Sequence, residues 1–289
     1  MDSRKPSSSF QQKKQKVVFA ILAMTAVIVV IPVIAVLYIL VSKGGSAVTW
    51  TFLTQPPVNS MREGGIFPAV IGTLCLVSGT IVFALPVGVL AAVYLTEYAR
   101  PGPLIRLVRL AIVNLAGVPS IVYGLFGLGL FVLLLNFGMS ILSGSLTLAL
   151  LTLPVVITAS EEALRTVPQS FREASLALGA TKWQTVRGVV LPNAVPGIIT
   201  GLILGIGRAA GETAPILFTA AAFYVPALPR SIFDPVMALP NHLFVLATQV
   251  PNAPPKVQWG TATTLLVLVL GMNLVATLIR LRFRRSRKW

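Results

Sequence analysis

Five stretches of this chain run for twenty residues or more without one charged side chain: Val17–Ser42, Gly64–Thr96, Leu110–Ser160, Gly188–Gly207 and Val257–Ile279. A membrane span needs about 20 mostly apolar residues, so each run is long enough to cross a bilayer. The fourth resumes past Glu212 as far as Pro229, and the third, at 51 residues, is long enough for two spans. Asn136, Gly138, Ser143, Gly144 and Ser145 break the third run near its middle, which divides it into helices ending near Leu135 and starting near Ile141. The expected architecture is therefore all-α: a polytopic integral membrane protein with six transmembrane helices. Charge content agrees. Soluble domains carry about a quarter of their residues as Asp, Glu, Lys and Arg, whereas these make up 11% of the 289 residues here, with a mean hydropathy of +0.86.

The net charge of +15 raises nucleic-acid binding, but the distribution of the basic residues excludes it. Loops on the cytoplasmic side of membrane proteins are enriched in Lys and Arg. With six spans and a cytoplasmic N-terminus, 18 basic residues fall inside. These lie in the N-tail, in a loop carrying Arg100, Arg106 and Arg109, in a loop carrying Arg165, Arg172, Lys182 and Arg187, and in the C-tail. Four fall outside (Lys43, Arg62, Arg230 and Lys256), and Arg208 lies within a span. Both termini are thus expected in the cytoplasm, and the basic balance is topological. The first apolar run exceeds the 7–15 residues of a signal-peptide core and reads as a retained helix. Residues 1–16 read as a polar, disordered tail.

Lone chemistry-bearing residues add little. Cys75 lies within the second span, where packing is the expectation, and no metal-ligand cluster exists. His242 falls in the loop Phe223–Gly260, the largest external segment, and reads as a surface residue. That loop is rich in proline, which rules out one long helix and leaves room for short helices at the external mouth. The segment Lys43–Gly65 reads as a second external loop.

Two segments depart from lipid-facing helix. The first is the cytoplasmic loop 161–192. Thr166 can cap a helix with Pro168 in its first turn, and Gly179 is placed to end it. Phe171, Ala174, Ser175 and Leu178 follow at helical spacing on one narrow face. A second short helix can begin at Thr181 and end before Leu191-Pro192. Such a loop could lie on the lipid surface or dock into a groove of a partner. The order Glu173-Ala174-Ser175, three residues, Gly179, nine residues, Val189, one residue, Leu191-Pro192 resembles the EAA loop of ABC-importer permeases, with Ser and Val replacing the usual third small residue and Ile. In that family the loop forms the helix that docks on a cytoplasmic ATPase subunit. The resemblance therefore implies an ATPase-coupling role for Phe171, Arg172, Glu173, Ala174, Ser175, Leu178 and Gly179.

The second is Gly207-Arg208-Ala209-Ala210-Gly211-Glu212-Thr213-Ala214-Pro215. For a helix starting near Ala194, Arg208 lies about 21 Å along it, within a hydrocarbon core about 30 Å thick. Charge at that depth costs about 2.5–3.5 kcal/mol on insertion scales. Arg208 and Glu212 stand four apart and can pair. Gly201 and Gly205 share their stripe and admit a close helix neighbour, so the stripe faces protein or a water-filled path. The pair reads either as a structural ion pair fixing helix register or as an anion station. The guanidinium fork matches phosphate oxygens in two parallel hydrogen bonds, and the carboxylate can accept a hydrogen bond from a phosphate hydroxyl, which sulfate lacks.

This string resembles the fifth-span signature of phosphate ABC-transporter permeases of the PstA type. So do Gly64-Gly65-Ile66, Ala92-Val93-Tyr94-Leu95-Thr96-Glu97-Tyr98 and Gly117-Val118-Pro119-Ser120-Ile121-Val122-Tyr123-Gly124. The resemblance runs through nearly all of residues 64–280. It implies the type I ABC importer permease fold in the plasma membrane of a prokaryote. The implied organisation is a first helix and external loop in residues 1–66, a permease domain over 67–280, and a basic tail over 281–289. The implied partners are a PstC-like permease, a PstB-like ATPase dimer, a PstS-like phosphate-binding protein, inorganic phosphate and membrane lipid. The substrate-pathway residues would be Arg208 and Glu212. No phosphate-binding G-x-x-x-x-G-K-[ST] loop is present, so the chain is expected to be a transporter subunit rather than an enzyme, with no cofactor of its own. ATP and Mg would be bound by the ATPase. A permease for another oxyanion, or the PstC-like partner itself, is the alternative reading. An intramembrane enzyme would need an activated nucleophile that the Arg-Glu pair does not supply.

Overall fold

The computed structural model describes residues 8–285, with side chains over 12–282. Arg4, Lys5 and the last basic residues of the C-tail lie outside the described residues. Helix α1 (Ser8–Gly44) already includes Ser8–Lys16, so this part of the expected disordered tail is helical. Among the described residues, five helical segments are long and apolar enough to cross a membrane: Gln12–Ala47, Phe67–Tyr98, Ile141–Thr166, Lys182–Gly211 and Pro255–Arg282. A sixth passes only as a bent pair, α4 (Pro103–Ala116) and the segment begun by α5 (Ser120–Gly127) and continued to Leu134, which meet at 103°.

That bend corrects the expected third span. Pro119 lacks an amide proton and disfavours helical backbone at Val118 before it, so the helix stops at Ala116. Arg106 and Arg109 consequently sit on a helix rather than in a loop. The break between the third and fourth spans falls where expected. Asn136 and Gly138 take positive φ, and α6 (Ile141–Thr166) starts with the Ser140 side chain accepting from the Ser143 amide at 3.1 Å.

The bundle is built around α6. It packs between α3 (Phe67–Val93, continued by a π turn Tyr94–Tyr98) and α9 (Leu191–Gly211). Helix–helix association in lipid depends on close packing of small residues. Gly197 and Gly201 of α9 lie against Ala163 and Ala159 of α6, so closely that a Cβ on Gly197 would stand 2.5 Å from that of Ala163. Helix α12 (Pro255–Arg285) packs on α9 and on α1, and α1 is otherwise exposed along its length, as a lipid-facing helix should be.

The fifth span also differs from expectation. A capping box at Thr181 and Gln184 starts α8 (Lys182–Thr185), as the sequence indicates. The helix does not end before Pro192: it passes through a π turn, Val186–Val190, straight into α9. Val186, Val190, Ala194 and Ile198 recur every fourth residue and are all buried. Packing of that stripe carries the helix through the hydrogen bonds lost at Pro192 and Pro196. The far end is shorter than expected. Helix α9 ends at Gly211, and α10 (Ala214–Thr219) turns away to pack on α5 and α6.

Opposite the 161–192 loop, short elements cover the end of the bundle. These are α2 (Trp50–Thr54), a two-residue hairpin (β1, Pro57–Val58; β2, Glu63–Gly64) and α11 (Leu239–Thr248). Phe52, Met61, Ile66, Ala69, Met237, Leu239, Val245 and Leu246 form their common core. His242, expected at the surface, is buried on α11 at 2% exposure, and neither ring nitrogen has a hydrogen-bond partner. Burial pushes its pKa down to about 4.

Two predictions follow from this packing. Gly201→Leu should destabilise the α6–α9 contact by about 1–3 kcal/mol through overpacking. Gly271→Leu, where a Cβ meets open space, should not. Thermal unfolding of the detergent-extracted protein compares the two. His242 is neutral in the fold but takes up a proton on unfolding near pH 6, so its contribution is full above about 6.5 and is lost as pH falls towards 4. Relative to His242→Phe, the native protein should lose at most about 3 kcal/mol between pH 7 and 4, measured by the same unfolding assay at a series of pH values.

Candidate functional site

The loop between α6 and α9 is a folded unit. Helix α7 (Gln169–Ala177) begins at Pro168, with no side-chain cap. Thr166, the expected cap, is instead the last residue of α6 and donates to the Ala163 carbonyl. The other end matches expectation. Gly179 takes φ +84, its amide donates to Leu176 and the Ala180 amide donates to Ser175, the two bonds of a Schellman stop. Space around Gly179 is open, so it is the backbone angle that calls for glycine.

The coupling-loop residues named from the sequence do not share one surface. Phe171 packs against the core formed by Ala92, Leu95, Leu164, Val186 and Val190. Ser175 bonds Thr185 at 3.0 Å. Glu173, Ala174 and Leu178 are exposed, Leu178 at 90%, and so are Leu176 and Trp183. Leu178 stands two turns after Phe171 on the same side of the helix, but at the C-terminal end of α7 it projects beyond the core on which Phe171 rests.

Arg172 points inward, and sequence reasoning gave no hint of its partner. Its Nη2 meets Glu97 Oε1 at 2.8 Å, with side chains 13% and 9% exposed. Nη1 donates to Val167 O at 2.6 Å and Nη2 also to Leu164 O at 2.8 Å. One guanidinium thus caps the end of α6 and holds the end of α3. A second buried carboxylate lies nearby. Glu161 of α6 accepts from Arg109 of α4 at 2.5 Å and from Arg165 at 3.1 Å, while Arg109 also donates to Leu95 O at 2.6 Å. Both carboxylates end or follow uncharged runs, the only sequence signal that marked them.

Arg208 is held differently. It stands in the last turn of α9, about 39 Å along the helix from Lys182 rather than 21 Å from Ala194. Glu212 is the residue after the helix, in extended backbone, and not a further helical position. The two still meet, through Nε alone, at 3.3 Å. Neither Nη has a hydrogen bond among the described residues, and the Arg208 side chain is 36% exposed against 16% for Glu212. Gly201 and Gly205 of the same stripe face α6, so the stripe is turned to protein as expected. Two further polar groups stand near Arg208. Tyr123 of α5 is close enough to feel its charge and bridges the α4–α5 bend by donating to Leu115 O at 2.9 Å. The Asn273 amide of α12 lies against Gly207, with Oδ1 buried and unpartnered.

Comparison with known proteins places this arrangement. A model of the family described as binding-protein-dependent transport system inner membrane component matches residues 84–288. The chain is 39% identical over 257 residues to the phosphate transport system permease protein PstA 1 of Mycobacterium tuberculosis, covering 87% of this chain and 82% of the relative. It is 33% identical over 283 residues to PstA of Yersinia pestis, covering 96% and 94%. Among solved structures it resembles a chain of a bacterial ABC transporter that imports alginate (TM-score 0.66, 14% identity, 96% of this chain and 99% of that one). It also resembles a chain of the inward-facing MetNI methionine transporter (TM-score 0.55, 20% identity, 76% and 94%). Those likenesses fix the fold as that of ABC importer permeases, which are membrane subunits and not enzymes. The chain belongs to the family of binding-protein-dependent transport system inner membrane components, and to the PstA-type permeases within it.

Proposed function

We propose that this chain is the PstA-type permease subunit of an ATP-driven importer, with inorganic phosphate as its substrate and Arg208 as the residue that meets the anion. The observation that carries the reading is the contrast between arginines. Arg172 and Arg109 spend their guanidinium nitrogens on buried acceptors, whereas Arg208 keeps both Nη unbonded and is 36% exposed. An open planar fork suits the paired oxygens of a phosphate. Glu212 holds the fork through Nε between transport events and can accept a hydrogen bond from a protonated phosphate. The names of the relatives support phosphate over other oxyanions.

In this reading the termini and the α7 loop are cytoplasmic. The exposed surface of α7 (Glu173, Ala174, Leu178), with Leu176 and Trp183, docks on one subunit of a PstB-like ATPase pair that binds ATP and Mg. A PstC-like permease completes the pathway, and a PstS-like protein delivers phosphate at the end covered by α11. ATP-driven closure of the ATPase pair moves α7, and the spans rock between inward-open and outward-open.

Arg208→Gln should lower phosphate uptake at least tenfold while the ATPase still copurifies. Near-normal uptake would overturn the anion station. Leu178→Asp places a charge on the apolar docking face and should reduce copurification of the ATPase at least tenfold without reducing the amount of permease in the membrane. Undiminished copurification would reject the docking face.

A further inference from the structure

Helix α7 has no fully buried residue, so apolar packing alone anchors it weakly. Its covalent connections run to α6 and, through Thr181, to α8. It has no covalent connection to α3, although α3 is the helix most extensively packed on α6 and also contacts α9. Beside Phe171, which packs on a core that includes Ala92 and Leu95, two polar contacts tie α7 and the start of α8 to the end of α3. The first is the Glu97–Arg172 pair, in which both carboxylate oxygens lie within 3.4 Å of Nε and Oε1 also accepts from Nη2. The second is Lys182, whose ammonium sits 5.1 Å from the centre of the Tyr98 ring. Glu97 and Tyr98 are adjacent residues at the end of the π turn that closes α3. A cavity of about 620 Å³ lies beside this pair, lined by Thr96, Gln169, Leu176 and Thr185 among others.

We infer that Glu97, with Tyr98, is a latch through which displacement of α7 is transmitted to α3. It is a positioning residue for transport, and it touches neither substrate nor ATPase. The physical ground is stiffness. A buried charge pair cannot separate without leaving an uncompensated charge, and Arg172 also closes the α6 carbonyls, so α3, α6 and α7 move as one body. The inference rests on α7 being the ATPase-docking element.

The test uses the whole importer, reconstituted in proteoliposomes with its ATPase subunits, partner permease and phosphate-loaded binding protein. Three quantities are read: ATPase retained in the complex, ATP hydrolysed, and phosphate accumulated per ATP. Glu97→Gln should retain the ATPase and hydrolyse ATP, but phosphate moved per ATP should fall tenfold or more. A ratio equal to the native one overturns the latch, and so does loss of the ATPase from the complex, which would make Glu97 part of the docking surface. Should Glu97→Gln not be recovered in folded form, Tyr98→Leu and Lys182→Gln break the second contact without stranding a buried charge. They should lower the same ratio at least twofold, and an unchanged ratio in both again overturns the proposal. Rescue separates a latch from general destabilisation. In a Cys75→Ser background, Glu97→Cys with Arg172→Cys should be uncoupled until a short bis-thiol reagent bridges the two positions, and then recover. No recovery on bridging counts against the latch. Leu178→Asp serves as the internal reference: if that variant keeps its ATPase, it is the docking reading that fails, whatever Glu97→Gln does.

Discussion

In the hydrocarbon of a bilayer, a backbone amide or carbonyl without a partner costs several kcal/mol, and every irregularity of this structure is arranged around that cost. Where the chain breaks at Gly117–Pro119, the amides of Gly117 and Val118 reach back to Asn114 and Leu115, and the Tyr123 hydroxyl takes a second bond to Leu115. Where α9 stops, the Glu212 amide turns back to Ala209. At the end of α6, Arg172 and the Thr166 hydroxyl satisfy the carbonyls of Ala163, Leu164 and Val167. The breaks are therefore stable features of the fold, and two of them, the α4–α5 bend and the end of α9, lie next to Arg208.

The same cost divides the charged residues into two groups. Glu97, Glu161, Arg109 and Arg172 form closed pairs at the end of the bundle that carries α7, where they join α3, α4, α6 and α7. Buried pairs of this kind contribute little net stability compared with apolar packing but are costly to break, which suits them to hold geometry. Arg208 and Glu212 sit at the opposite end of α9, joined by a single bond, with Arg208 36% and Glu212 16% exposed. An anion can compete for that guanidinium in a way it could not compete for Arg172. The closed pairs and the loosely held one thus lie at opposite ends of one helix, α9 with its α8 extension, whose small-residue face lies on α6.

Several local signals in the sequence were read correctly, although the expected cap at Thr166 was not. The start of α6 at Ile141, the stop at Gly179 and the capping box at Thr181 each depend on a few adjacent residues and their backbone angles. Gly201 was legible as a close-approach position because spacing alone puts it on the stripe of Arg208. Other readings failed where a distant neighbour decided the outcome. Pro192 looked like a terminator, but the buried stripe from Val186 to Ile198 holds the helix together across it. His242 looked exposed because it lies in a proline-rich loop, yet that loop folds as a cap over the start of α3.

By itself the sequence determined that the chain crosses a bilayer about six times, that one connecting loop is folded and amphipathic, and that one charged pair sits beside an apolar span. These follow from the length and charge of apolar runs and from helix-end chemistry, which need no knowledge of what packs against what. Only the tertiary structure decided which residues of α7 are exposed, that Arg172 belongs to Glu97, 75 residues earlier in the chain, and that Arg208, unlike Arg109 and Arg172, keeps both Nη unbonded. Pairing over such separations is set by which helices pack together, and hydropathy, the same on every lipid-crossing helix, does not encode it.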